Sequence, residues 1–126
     1  MLAAPDIDVL EFERDFGPKL ALHSVRTTIY CSSTDLALHA SYSFNDAPRV
    51  GDSSHGIVVI KDIDTIDASL MRTDLLGHSY YGDCVELAAD IGVLLKTNAA
   101  PGSENRKLKQ RPWESLIYWV FAKAAG

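Results

Sequence analysis

Val25-Arg26-Thr27-Thr28-Ile29-Tyr30-Cys31, then Ser32-Ser33-Thr34-Asp35, then Leu36-Ala37-Leu38-His39-Ala40: this stretch decides the fold. The first seven residues are rich in β-branched and aromatic side chains and predict a strand. Four polar turn formers follow, and the composition then turns helical. Strand, short turn and helix in direct succession are the first half of a βαβ unit, whose strands pair in parallel with right-handed crossovers. Asp35 therefore falls at the carboxyl end of a strand, where a helix begins. Ligands and catalytic groups collect at that edge of open parallel sheets. An aspartate or threonine there also serves as an ordinary helix cap, and both readings stay open.

Working outward, Asp64-Thr65-Ile66-Asp67-Ala68-Ser69 predicts a second buried strand. It leads to Leu75-Leu76-Gly77-His78-Ser79-Tyr80-Tyr81-Gly82-Asp83 and then to a helix from about Cys84. That helix places Leu87, Ile91, Leu94 and Leu95 on one face. His78 thus stands on a loop between strand and helix, a placement suited to a general base and equally to a surface histidine with no role. Asn45–Gly56 reads as a turn-rich loop, Ile57–Ile60 as a short strand and Asn98–Lys109 as a polar loop. From Pro112-Trp113 the residues Trp113, Leu116, Ile117, Val120 and Phe121 form an apolar stripe at helical spacing, so the spacing predicts a final helix. Upstream, Asp8-Val9-Leu10-Glu11 has capping-box form and starts a helix to about Asp15, with a break at Gly17-Pro18 and a resumption over Lys19–Ser24. The opening Met1–Pro5 reads as a strand entered partway. Together the elements predict an α/β chain: a single partial domain over residues 1–126, with parallel strands flanked by helices.

The bulk properties exclude several classes. The 126 residues are 47% hydrophobic and 23% charged with a net charge of −5, which argues against a nucleic-acid-binding surface. Arg106-Lys107-Leu108-Lys109-Gln110-Arg111 is a short basic run that reads as a solvated connection. No apolar run approaches the ~20 residues of a membrane span, and no targeting segment is evident, so cytoplasmic localisation is the default expectation. Cys31 and Cys84 lack a C-x-x-C spacing and read as two buried thiols in a reducing compartment.

Asp35 and His78 are expected at the same sheet edge. An acid that orients a histidine, which in turn takes a nucleophile's proton, is the logic of the catalytic triad. In α/β-hydrolases the chain order is nucleophile, acid, histidine, and the serine sits in a G-x-S-x-G turn. The sequence contains no such motif. Gly77-His78-Ser79-Tyr80-Tyr81 resembles its opening, but Tyr81 stands where the turn needs a small residue. Gly51-Asp52-Ser53 is a three-residue echo of another esterase motif. Cys84, at a helix start, is expected to pack inward. A metal held by Asp6, Asp8, Asp35 and His78 is the weaker alternative, since acidic residues at helix starts usually act as caps. No cofactor is called for.

Ala3-Ala4-Pro5-Asp6-Ile7-Asp8, Ile29–Leu38, Pro48-Arg49-Val50-Gly51-Asp52, Asp64–Ser69 and Leu76–Tyr81, in that order, resemble the C-terminal half of a bacterial α/β-hydrolase family. That family is esterase- or lipase-like, with no firmly assigned substrate. The resemblance implies a partial α/β-hydrolase fold with Asp35 as triad acid and His78 as triad base. It further implies a small-molecule ester substrate for the complete protein, with nucleophile and oxyanion-hole loop upstream of Met1. This polypeptide alone is then expected not to hydrolyse esters. The rival expectation is a non-catalytic module that associates through an exposed sheet edge, with Leu2, Ala3 and the Thr27–Cys31 strand uncovered.

Overall fold

The computed structural model describes residues 1–71 and 85–122. Five described strands form one sheet: β1 (Leu2–Ala3), β2 (Thr28–Cys31), β3 (Asp64–Asp67), β4 (Leu108–Trp113) and β5 (Leu116–Phe121), in the order β1-β2-β3-β5-β4. The first three and β5 run parallel, with Leu2 opposite Ile29, Ile29 opposite Thr65, and Ile66 opposite Trp119. Only β4 is antiparallel, paired with β5 from Leu108↔Phe121 to Trp113↔Leu116. The strands expected at 25–31 and 64–69 are present. Thr28–Cys31 is fully buried between β1 and β3, so it is not the uncovered strand that was expected.

Strand alternation splits the core into two layers. Tyr30 and Ile66 point to one face, where α4 (Val85–Thr97) covers them with Leu87 and Leu94, and Phe121 closes the layer. Ile29 points to the other face and packs with Phe12, Val50 and Ile63. The predicted stripe on the 85–95 helix holds at three of its four positions. Leu87 and Leu94 are buried and Ile91 packs against the same cluster, whereas Leu95 is exposed.

The second layer is built by the segment from Val9 to His23. Asp8 caps it by accepting the Glu11 N–H at 3.0 Å, as its capping-box form predicts. The expected break at Gly17-Pro18 does not occur. The turns run through α1 (Val9–Glu11), a wider π-helical stretch (Phe12–Phe16) and α2 (Gly17–His23). Pro18 falls at the start of α2, where a missing N–H costs little. Gly17 lies against the buried Phe12 ring, 3.1 Å from where a Cβ would stand. The glycine is there for close packing of the π-turn.

Two further expectations fail. Ile57–Ile60 is irregular: the Val58 carbonyl accepts the Thr65 hydroxyl at 3.0 Å, and Val58 is buried as a cover over β3. The final helix is a β-hairpin. Leu116-Ile117-Tyr118-Trp119-Val120-Phe121 is an unbroken run of large apolar residues, and such a run satisfies helical spacing while favouring a buried strand. Pro112 is tolerated because β4 is an edge strand and the Pro112↔Ile117 pair follows the closing pair, where the backbone N points outward.

The polar 98–107 connection carries a charged residue that is not solvated. Arg106 is buried, with Nε 2.8 Å from Asp90 Oδ1 and Nη2 2.8 Å from Asp90 Oδ2. Its Nη1 donates to the Ala99 carbonyl, and Nη2 also reaches the Tyr30 hydroxyl at 3.1 Å. Tyr30 in turn donates to Asp90 Oδ2 at 2.7 Å. Burial and the Asp90 carboxylate push the Tyr30 phenol well above its usual range. For Arg106 burial opposes the charge, and Asp90 and Tyr30 outweigh it. A fully buried cation is tolerated only with this degree of pairing.

Candidate functional site

Parallel strands end together, so the segments after β1, β2 and β3 converge on one edge. Asp35 stands there as N-cap of α3 (Leu36–Asn45) and accepts the Leu38 N–H on Oδ1 at 3.1 Å. The cap and the edge position thus coexist in one residue. That capping bond uses Oδ1. His78, Ser79, Tyr81 and Cys84 lie outside the described residues, so the Asp35–His78 pair is an expectation carried forward.

The turn that carries Asp35 is tied down on several sides. The Ser33 N–H donates to Ser69 Oγ at 2.8 Å, and Ser69 donates to Asp67 Oδ1 at 2.5 Å, linking the ends of β2 and β3. Ser32 exchanges backbone bonds with the 49–53 segment: its N–H reaches the Gly51 carbonyl and its carbonyl accepts from Ser53 N. Gly51 packs so tightly on the first segment that a Cβ would lie 2.4 Å from the Ala4 carbonyl carbon. Only glycine fits there without a backbone shift.

Sequence reasoning passed over three residues at this edge. Asp52 lies in a stretch read as a turn-rich loop, yet its side chain is 1% exposed. It sits between two histidines, His39 Nε2 at 3.6 Å and His55 Nδ1 at 3.7 Å. His39 Nε2 is 2.9 Å from the Ser33 carbonyl, which can only accept, so that nitrogen carries a proton. His55 stacks on Tyr42 with ring centroids 3.9 Å apart. The sequence feature nearest to this arrangement is Gly51-Asp52-Ser53, read there only as an echo of another esterase motif.

Of the weighed metal set, His78 lies outside the described residues, and Asp6, Asp8 and Asp35 form no metal-holding group. Asp6 is engaged by Arg49 Nε at 2.6 Å and Ser41 Oγ at 2.7 Å, while Asp8 and Asp35 are caps. Among the described residues no group of three His, Cys, Asp or Glu side chains is arranged to hold a metal ion. Cys31 is buried as expected, and burial together with the nearby Asp67 pushes its thiol well above the usual range. It is a core residue with little thiolate character. A cleft of about 770 Å³ lies at the opposite edge, lined by Val25, Ile60, Ile117 and Trp119.

A mostly parallel sheet flanked by helices is consistent with a partial α/β-hydrolase fold. The family model described as an alpha/beta hydrolase of unknown function (DUF900) matches residues 1–95, and the chain belongs to that family. No curated protein and no solved structure matches it. The match ends within α4, so the Arg106 connection and the hairpin lie outside it. Among the described residues no helix is long and apolar enough to cross a membrane.

Proposed function

We propose that the chain carries the acid and the base of a serine-dependent hydrolase acting on carboxylic esters, Asp35 being the acid and His78 the base. The observation that supports this most is the place of Asp35 at the carboxyl end of β2, beside the end of β3 from which the chain runs on to His78. In this reading His78 takes a serine's proton as that serine attacks the ester carbonyl, then returns it to the departing alcohol. Asp35 holds the imidazole tautomer and stabilises the imidazolium. Because the sequence holds no G-x-S-x-G motif, the serine and its oxyanion-hole donors come from outside these 126 residues, which form one partial domain. No cofactor takes part.

The test joins the chain to an upstream half bearing a G-x-S-x-G serine and follows nitrophenol release from short acyl esters. Turnover should appear, and His78→Ala or Asp35→Asn should lower kcat at least ~100-fold. Turnover by the 126-residue chain alone that disappears with His78→Ala would place the nucleophile within it and overturn the division.

One observation favours a second reading, a non-catalytic module that pairs through its sheet edge. β1 is the edge strand, only two residues long, with Ala3 exposed and Met1 49% exposed. The opposite edge, β4, bears Lys109, Arg111 and Pro112, which discourage pairing. Sedimentation at micromolar concentration decides it: a monomer with a sharp cooperative melt counts against the module.

A further inference from the structure

The amino edge of the sheet holds two buried polar atoms that the fold does not satisfy. Arg26 precedes β2 and gives Nη1 to Asp64 Oδ2 at 2.6 Å. Its Nε is buried and, among the described residues, without a partner; so is Thr28 Oγ1, on a residue 1% exposed. Arg26 lies two residues before Thr28, the first residue of β2. Both line one cleft of about 230 Å³, closed by Met1, Leu94, Leu95 and Asn98 at the end of α4.

A buried donor left without a partner forfeits its hydration with nothing in return, so such groups ordinarily have a partner. The geometry of the guanidinium says which kind. The Asp64 bond uses Nη1, the nitrogen on the side of Cδ, and leaves the edge formed by Nε and Nη2. Those two N–H groups point the same way and match the two oxygens of a planar carboxylate. Thr28 can donate its hydroxyl to one of those oxygens or accept from a protonated acid. The walls supplied by Leu94 and Leu95 suit a short apolar substituent, and the cleft is too small for a bulky one.

We propose that this cleft binds a small free monocarboxylate, held by the Nε–Nη2 edge of Arg26 and the Thr28 hydroxyl. The site lies at the opposite edge of the sheet from Asp35 and does not depend on the hydrolase reading. Asp64 stays on Nη1 and fixes the guanidinium plane, which makes it a positioning residue for the site.

The experiment follows the arginine side-chain Nε–Hε resonance of Arg26 by NMR in the full chain. Acetate, chloride and inorganic phosphate are added in separate titrations at constant ionic strength, with a capped glutamate dipeptide as a fourth. The expected result is a saturable shift with acetate and none of comparable size with the other three. Thr28→Val, which keeps the side-chain shape, should weaken acetate binding about 10-fold through loss of one charge-assisted hydrogen bond. Arg26→Lys keeps the charge but not the fork, and should abolish protection against thermal unfolding by acetate while leaving the acetate-free melt cooperative. Equal shifts with chloride or phosphate, a response to the dipeptide alone, no saturable shift, or unchanged affinity in Thr28→Val would each overturn the proposal. Any of them would leave the cleft to ordered water only.

Discussion

The 1–95 portion and the C-terminal hairpin enter the same sheet by opposite routes. In the first, β1, β2 and β3 are short and parallel, with β2 fully buried, joined through helices or long covering segments, and their carboxyl ends form the polar edge. In the second, β4 and β5 form a tight antiparallel pair, and β5 pairs with the first portion at Ile66 and Asp67 of β3 while Leu108 of β4 packs on the same core layer. The two are coupled by one buried polar knot, Arg106 with Asp90 and Tyr30. Tyr30 is on the strand that leads to Asp35, and Asp90 is on the helix covering it. A region outside the family match therefore braces the strand that carries the candidate acid.

The largest expected effect breaks that brace. Arg106→Met leaves Asp90 buried without its cation and should lower stability by about 3–5 kcal/mol, measured by denaturant unfolding. The double variant Arg106→Met/Asp90→Leu should recover most of the loss, because it removes both charges together. If the single change costs no more than an exposed arginine would, the two portions are independent and the comparison fails.

Next comes a break confined to the first portion. Gly51→Ala drives a methyl against the Ala4 and Pro5 backbone, where the nearest atoms stand 2.4–2.6 Å from the Cβ position. Such overpacking should cost about 1–3 kcal/mol in thermal or denaturant unfolding. It should also loosen the Ser32–Asp52 contact, seen as faster exchange of the Ser32 amide, with the hairpin amides unaffected.

Alkaline pH sharpens the comparison further. The Tyr30 phenol and the Cys31 thiol are both raised in the folded protein from usual values of 10.0 and 9.0. Above those values the unfolded chain loses protons that the folded chain keeps. Stability is therefore fully present below about pH 9 and falls as pH rises through and beyond 10, with a limiting slope of about 1.4 kcal/mol per pH unit for each group. Denaturant midpoints across this range should show the decline, and Cys31→Ala should remove its earlier part.

How much was legible follows the same division. The 25–40 stretch, the 64–69 strand, the Asp8 cap and the 85–95 helix could be read because local propensity, periodicity and turn chemistry agree there. Asp35 was legible as an edge residue because strand and helix composition flank it directly. Asp52 with His39 and His55 was not, since their meeting depends on a loop folding back across the strand end. Arg106 was missed because a basic run looks solvated, and only the tertiary position of Asp90 makes that connection a buried one. The hairpin was missed because 116–121 fits two periodicities and its turn, Glu114-Ser115, carries none of the Asn-Gly or Asp-Gly chemistry that announces a two-residue loop.

That turn supplies the smallest prediction. Glu114 has φ +49°, a left-handed conformation that L side chains adopt at a cost, and Trp113↔Leu116 closes the loop around Glu114 and Ser115. A two-residue loop with positive φ at its first position only is the class that favours glycine there. Glu114→Gly should therefore relieve the strained backbone, offset in part by the extra freedom glycine gives the unfolded chain, for a net gain of about 0.5 kcal/mol. If the hairpin unfolds as one unit with the first portion through Arg106, the gain appears in the global melt. If β4 and β5 open separately, it appears only as slower amide exchange along 108–121, and the melt stays where it was.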